Sequence, residues 1–152
     1  MKPAQDLVVK TRNEISRLLQ RFKLENSLPG DHPYSTLSTA ELSLVLTLGD
    51  RGTQRMSALA TYLGVPLTTA TSIADRLYRK TLMVRNASER DRRVVLAELT
   101  AKGRDLYQIV FETQLHQTDQ MLRCLNSVER KQFLDCLLKM TESALTSSKG
   151  GR

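Results

Sequence analysis

Between Gly64 and Arg93 the chain sets hydroxyl side chains and guanidinium groups in an order suited to hydrogen bonding and charge neutralisation. Thr68, Thr69, Thr71 and Ser72 crowd the start of a segment that runs on to Arg76 and Arg79. A short β-prone run carrying Arg85 follows, then the polar loop Ser88-Glu89-Arg90-Asp91-Arg92-Arg93. Small hydroxyl residues let a helix approach the floor of a DNA major groove, and arginines at its edges meet phosphates. Guanidinium groups at a hairpin tip reach an adjoining minor groove, where negative potential deepens as the groove narrows. A small-residue helix, a strand and an arginine-loaded loop, in that order, read as a winged helix-turn-helix that grips DNA. The opposing reading makes the hydroxyls surface filler near a helix start and the arginines an ordinary solvated hairpin. Their adjacency and the basicity of the chain favour nucleic acid.

The elements that must position these groups follow from periodicity and punctuation. Val8, Ile15, Leu18, Leu19 and Phe22 recur at helical spacing from Gln5 to about Leu24, predicting an amphipathic opening helix. The loop Ser27–Pro33, with two prolines and a glycine, ends it. Ser38-Thr39-Ala40-Glu41 is a capping box for a second helix from Thr39 to about Leu48. A third helix spans Met56 to Leu63, with Leu59 and Leu63 facing inward and Gly64 as its stop. Pro66 opens a fourth, to about Lys80, whose Ala70, Ile73, Ala74 and Leu77 form one buried stripe. That stripe turns Thr68, Thr71, Ser72, Asp75, Arg76 and Arg79 outward. Met83–Asn86 and Val94–Leu99 predict a hairpin. Thr100 caps a long helix containing Leu106, Ile109, Val110 and Leu115, and Asn126 with Glu129 caps a last one. Phe133, Leu134, Leu137, Leu138, Ala144 and Leu145 cover more than one stripe of that last helix, which predicts a subunit interface built from the terminal helices. Residues 146–152 read as a frayed polar tail.

The fold class expected is mainly α with a small β-hairpin wing: one domain over 1–152, a winged helix-turn-helix at 37–104, and dimerisation helices at 4–30 and 105–147. A chain of 152 residues can bury roughly two-thirds of the surface its unfolded form exposes, so a real core is available. Basic residues outnumber acidic ones by 23 to 16, a formal charge of +7, which favours an anionic partner. No apolar run approaches the roughly 20 residues of a membrane span, and Leu7-Val8-Val9 is too short a core for a signal peptide. A cytoplasmic location without a membrane partner is expected. Cys124 and Cys136 fit neither a metal knuckle nor a disulfide scaffold and are expected as buried thiols, with a redox role as the alternative. Two histidines and no Cys or His cluster give no support for a metal, and no cofactor is expected. Among the aromatics, Phe22, Phe111 and Phe133 read as core, and Tyr34, in a loop, as the better candidate to touch a ligand.

From about Leu37 to Leu106 the chain resembles the MarR family of multiple-antibiotic-resistance type regulators. The residues that carry the resemblance are Leu37-Ser38-Thr39-Ala40-Glu41, Met56-Ser57-Ala58-Leu59-Ala60 with Leu63-Gly64, Thr69-Ala70-Thr71 leading to Asp75-Arg76-Leu77, Leu82-Met83-Val84-Arg85, Arg90-Asp91-Arg92-Arg93 and Leu99-Thr100-Ala101-Lys102-Gly103. The resemblance implies an obligate dimer whose terminal helices interlock, with Ile15, Leu19, Phe133, Leu137 and Leu138 in the interface. It implies that Thr68, Thr69, Thr71, Ser72 and Arg76 meet the major groove and its backbone. Arg93, near the wing, would enter the minor groove, Arg92 would be a further DNA-binding residue, Arg90 would contact phosphate or brace the loop, and Asp91 would orient neighbouring arginines. It further implies a small-molecule effector held between the dimerisation and DNA-binding parts. The sequence departs from the family pattern at Ser88, where an aspartate usually starts the wing, at Pro66-Leu67, where a serine cap is common, and at Thr81, where glycine is usual.

The function expected is a sequence-specific transcriptional regulator, a dimeric repressor on a pseudo-palindromic site, released by a small molecule or an oxidant. The alternative is a protein-interaction module that uses the winged fold without specific DNA readout. An enzyme finds no nucleophile–base pair, paired carboxylates, metal cluster or phosphate-binding glycine loop to support it.

Overall fold

The computed structural model describes residues 3–21, 28, 30–88, 91 and 93–147, with side chains for all of these except 21 and 144–147. Its elements are α1 (Gln5–Arg21), α2 (Thr39–Arg51), β1 (Gln54–Arg55), α3 (Met56–Leu63), α4 (Leu67–Arg79), β2 (Met83–Ala87), β3 (Val95–Leu99), α5 (Ala101–Leu122) and α6 (Ser127–Ser147). The chain divides into two compact units, Met1–Gln114 and Leu115–Arg152, the boundary falling within α5. The fold is mainly helical with a small antiparallel sheet, as the sequence predicts.

In the first unit α2, α3 and α4 pack around Leu42, Leu44, Val45, Leu48, Leu59, Ala70, Ile73, Ala74 and Leu77, all at or below 3% exposure. The expected stripe of α4 is therefore its buried face. Leu82, Met83, Ala97 and Leu99 extend this core under the sheet, and Leu106 and Val110 bring the first turns of α5 onto it. The sheet has three strands in the order β1-β3-β2, rather than the hairpin alone. Its added strand pairs Gln54 with Ala97 and Arg55 with Leu96, while Met83 to Ala87 run against Leu99 to Val95. The Glu98 carboxylate ties the three together, accepting from the Thr53 hydroxyl at 3.3 Å and the Asn86 amide at 3.2 Å.

The predicted caps form. Ser38 accepts from the Glu41 amide at 3.3 Å while the Glu41 carboxylate accepts from the Ser38 amide at 2.9 Å. Such a cap is worth about 1 kcal/mol. Gly64, at φ 65°, ends α3 in the left-handed conformation that lets its amide reach back to the last turn. Pro66 sits at the N-cap of α4 rather than inside it, and no side chain caps that helix. Thr81 is the non-glycine residue with positive φ (60°) among the described residues. The left-handed turn is held all the same: the Thr81 amide donates to the Tyr78 carbonyl at 2.9 Å and its carbonyl accepts from the Thr100 hydroxyl at 2.7 Å. That hydroxyl also accepts from the Gly103 amide at 3.0 Å, so Thr100 caps α5 as expected.

In the second unit, Asn126 caps α6, accepting from the Val128 and Glu129 amides at 2.9 and 3.1 Å while Glu129 reaches back to the Asn126 amide. Val128, Leu134, Leu137, Leu138 and Met140 are exposed. Cys124 and Cys136 are exposed too, which corrects the expectation of buried thiols: Cys124 lies in the turn between α5 and α6, and Cys136 on a side of α6 that this chain leaves open. Leu28 is a second surprise, buried within a loop rich in proline and glycine. The predicted end of α1 at Phe22 to Leu24 and residues 148–152 lie outside the described residues, while α6 continues through 146 and 147, which the sequence places in the polar tail.

Candidate nucleic-acid interface

With Ala70, Ile73, Ala74 and Leu77 held inward, the helical period leaves Thr68, Thr69 and Ser72 exposed on α4. Thr71 is half-buried, and its hydroxyl donates to the Leu67 carbonyl at 2.8 Å, keeping its second lone pair and methyl group for a partner. Arg76 is also half-buried. Its Nη1 donates to the Ser72 hydroxyl at 3.4 Å, and its Nε lies 3.7 Å from the Glu41 carboxylate. Arg79 curls back, Nε donating to the Asp75 carbonyl at 3.3 Å.

Two expected members of this surface are committed elsewhere. Asp75, read as outward-facing, pairs with Arg85 of β2 at 2.6 Å, and that guanidinium lies 5.6 Å from the Tyr78 ring centre. Arg85 therefore braces the strand to α4 instead of reaching forward with the loop. The wing turn is held by Asp91, whose carboxylate accepts from the Arg93 amide at 3.0 Å and whose carbonyl accepts from the Val94 amide at 2.9 Å. Asp91 thus shapes the loop through the backbone that carries Arg93. Ser88, at the departure from the family pattern, donates its amide to the Val94 carbonyl at 2.8 Å. Arg90 and Arg92 lie outside the described residues.

Arg93 lines a groove of about 320 Å³ between the start of α4 and the sheet, together with Arg55, Ser57, Leu67, Thr71 and Arg85. Three arginines border the groove, Arg85 with its guanidinium paired to Asp75, and none of the lining residues is acidic. Arg55 and Leu67 were not anticipated. Arg55 belongs to a two-residue polar strand that has no periodicity to find, and Leu67 breaks the run of hydroxyls with a 51% exposed apolar side chain of the kind that meets a thymine methyl.

Glu41 lies behind the face. It is 3% exposed, and burial by itself would raise its pKa. The Lys80 ammonium at 2.9 Å and the hydrogen bonds from Ser38 outweigh that, holding the carboxyl below the usual glutamate range. Tyr34, expected as a ligand candidate, is half-buried against the core with the Lys102 ammonium 5.4 Å from its ring centre. Phe111 stacks on Tyr107, and Phe133 is half-buried on α6. Of the expected interface residues, Ile15, Leu19, Leu137 and Leu138 are exposed apolar side chains. Among the described residues no helix is long and apolar enough to cross a membrane, and no group of His, Cys, Asp and Glu could hold a metal ion.

Residues 37–95, the span that contains this face, match the MarR family. Over 113 residues the chain is 28% identical to the uncharacterized HTH-type transcriptional regulator YfiV of Bacillus subtilis, covering 74% of this chain and 70% of that protein. It is 26% identical over 149 residues to the HTH-type transcriptional repressor MdtR of the same organism, covering 98% of this chain and 95% of the relative. In fold it is similar to Streptococcus pneumoniae FabT, solved in complex with DNA, with a TM-score of 0.79 at 20% identity over 93% of this chain and 97% of that one. Over the winged helix-turn-helix the chain is thus similar to the MarR family, and over most of its length to HTH-type transcriptional regulators.

Proposed function

We propose that this regulator is a sequence-specific homodimeric repressor that covers a pseudo-palindromic promoter site and is released by a small-molecule or oxidant signal. The observation that carries the DNA reading is the exposed hydroxyl row Thr68, Thr69 and Ser72 beside a groove bordered by Arg55 and Arg93 and by no acidic residue. In this reading Thr68, Thr69, Thr71, Ser72 and Arg76 serve the major groove and its backbone, and the wing arginines Arg90, Arg92 and Arg93 serve phosphate and minor groove. The head at 37–104 is the reading part, and the helices at 4–30 and 105–147 are the dimerisation part.

The dimer is supported by apolar side chains that one chain leaves in water: Ile15 and Leu19 on α1, and Leu134, Leu137 and Leu138 on α6. Two-fold symmetry then sets the half-sites about one DNA turn, roughly 10 bp, apart. Repression follows from occupying a promoter, and the relative MdtR is named a repressor. An effector is supported by a cavity of about 350 Å³ bordered by Leu48, Gly49, Glu98, Arg104, Tyr107 and Gln108, a size that accommodates a small molecule. Tyr107 donates to Asp50 at 2.8 Å, and that bond raises its pKa, keeping the phenol protonated beside the cavity. Exposed Cys124 and Cys136 are the groups an oxidant would meet.

Selection of bound sequences from a pool of random duplexes at fixed salt tests the reading. A two-fold symmetric motif is the expected result, and recovery of no motif contradicts it.

A further inference from the structure

Among the described residues two capping boxes use a glutamate three residues after the cap, and the burial of that glutamate differs between them. At α6 the Asn126–Glu129 box is exposed, its carboxylate accepting from the Asn126 amide at 2.8 Å. At α2 the glutamate of the Ser38–Glu41 box is buried, although capping by itself needs no burial. The two oxygens of Glu41 divide the work. Oε2 accepts from the Ser38 amide at 2.9 Å and the Ser38 hydroxyl at 2.8 Å, serving its own helix. Oε1 accepts from Lys80 Nζ at 2.9 Å and lies 3.7 Å from Arg76 Nε, both on the second half of α4 or just beyond it. Arg76 in turn donates to Ser72 at 3.4 Å, a hydroxyl on the exposed face. A line of contacts thus runs from a buried carboxylate to a side chain of the reading surface.

We propose that Glu41 is a positioning residue for DNA selectivity: it ties Arg76 and Lys80 to α2, fixing the pitch of α4 and setting Arg76 in one place beside Ser72 instead of leaving two cations free to grip whichever phosphate is within reach. The proposal rests on the DNA-binding reading above. Phosphate contacts raise affinity for every sequence alike, whereas contacts to base edges separate one sequence from another. A restraint on Arg76 and Lys80 therefore acts on the ratio between the two. Arg76 is 42% and Lys80 35% exposed in their side chains, so both can swing toward a duplex once the restraint is gone.

The test uses the full chain, the duplex selected by the wild type and a random-sequence duplex of the same length, titrated at several salt concentrations. Glu41→Gln keeps an oxygen for the Ser38 amide and sets an NH2 group against Lys80 and Arg76, donor facing donor. Ser38→Ala damages the cap and leaves the Lys80 contact in place. Glu41→Gln is expected to lower the selected-to-random affinity ratio about tenfold, the order of one lost specific contact. Its salt slope on the random duplex is expected to steepen by about one to two, near 0.9 for each phosphate newly neutralised. Ser38→Ala is expected to lower the melting temperature while leaving the ratio near wild type. A wild-type ratio in Glu41→Gln, or an equal loss in Ser38→Ala, overturns the proposal. Should Glu41→Gln fail to fold, Glu41→Asp carries the test: the charge stays but the shorter side chain cannot reach both Ser38 and Lys80, so a lowered ratio is expected, and an unchanged one overturns the proposal. A wild type with no preference between the duplexes sinks the DNA reading as well, whereas a selective wild type with an indifferent Glu41→Gln sinks the role of Glu41 alone.

Discussion

The reading head and the terminal helices are built on opposite terms. Between Leu37 and Leu99 the apolar stripes of α2, α3, α4 and the sheet meet one another, and Leu44, Val45, Leu59, Ala70 and Leu77 are sealed from water. α1 and α6 have comparable apolar stripes, yet Leu19 is 67% and Leu134 55% exposed. The head completes its core within one chain, and the terminal helices keep surface for something else to cover. The proposed assembly through the terminal helices rests on that difference.

The largest effect that would break or sharpen this contrast comes from matched truncations. Leu59→Ala should cost about 2–5 kcal/mol of unfolding free energy whatever the protein concentration, because it opens a cavity in a sealed core. Leu138→Ala should cost little in dilute protein, and its effect should grow with concentration as association is weakened. Denaturant titration of both variants over a range of concentrations checks this, and equal, concentration-independent losses would erase the distinction.

Next in size is the wing. Arg93→Ala should weaken DNA binding by about 1–3 kcal/mol and flatten the salt slope by about 1, while the melting temperature stays near wild type. A titration at several salt concentrations reads both, and a change in melting temperature without a change in slope would make Arg93 a structural residue.

Acid should then affect the head through Glu41. Because its native pKa is lowered, the stability it contributes is fully present above the ordinary glutamate value and is lost as pH falls through the lowered native value. Unfolding free energy measured down an acid series should fall in that window for wild type and stay flatter for Glu41→Gln. Parallel curves would show that other carboxylates dominate.

The smallest effect concerns Thr81, a β-branched residue at φ 60°. The left-handed conformation costs an L-residue roughly 1–2 kcal/mol, so Thr81→Gly should stabilise the head by up to about 1 kcal/mol after its lost side-chain contacts are counted. Thermal melting checks the sign.

What the sequence made legible was whatever local rules write down. Caps at Ser38, Thr100 and Asn126, the stop at Gly64 and the stripe Ala70, Ile73, Ala74 and Leu77 all form as spacing predicts. The hydroxyl row of α4 was legible for the same reason, since its exposure is the complement of that stripe. Groups paired across long separations were not. Gln54–Arg55 becomes a strand only because Ala97 and Leu96 lie beside it, and two polar residues hold no alternation to detect. Asp75 and Arg85 look like free surface charges until strand and helix are brought together, and the second role of Glu41 depends on partners 35 and 39 residues away. The cysteines misled because a thiol behaves as a small apolar group, while α6 leaves much of its apolar surface open in a single chain.

The central claim, that two copies joined through their terminal helices present paired reading heads to one duplex, is tested most directly by the mass of the complex. Sedimentation of the full chain with a duplex selected from the random pool should give two chains per duplex, and a dimer when the protein is run alone. One chain per duplex, or a free protein that stays monomeric at the concentrations where it binds, would contradict it.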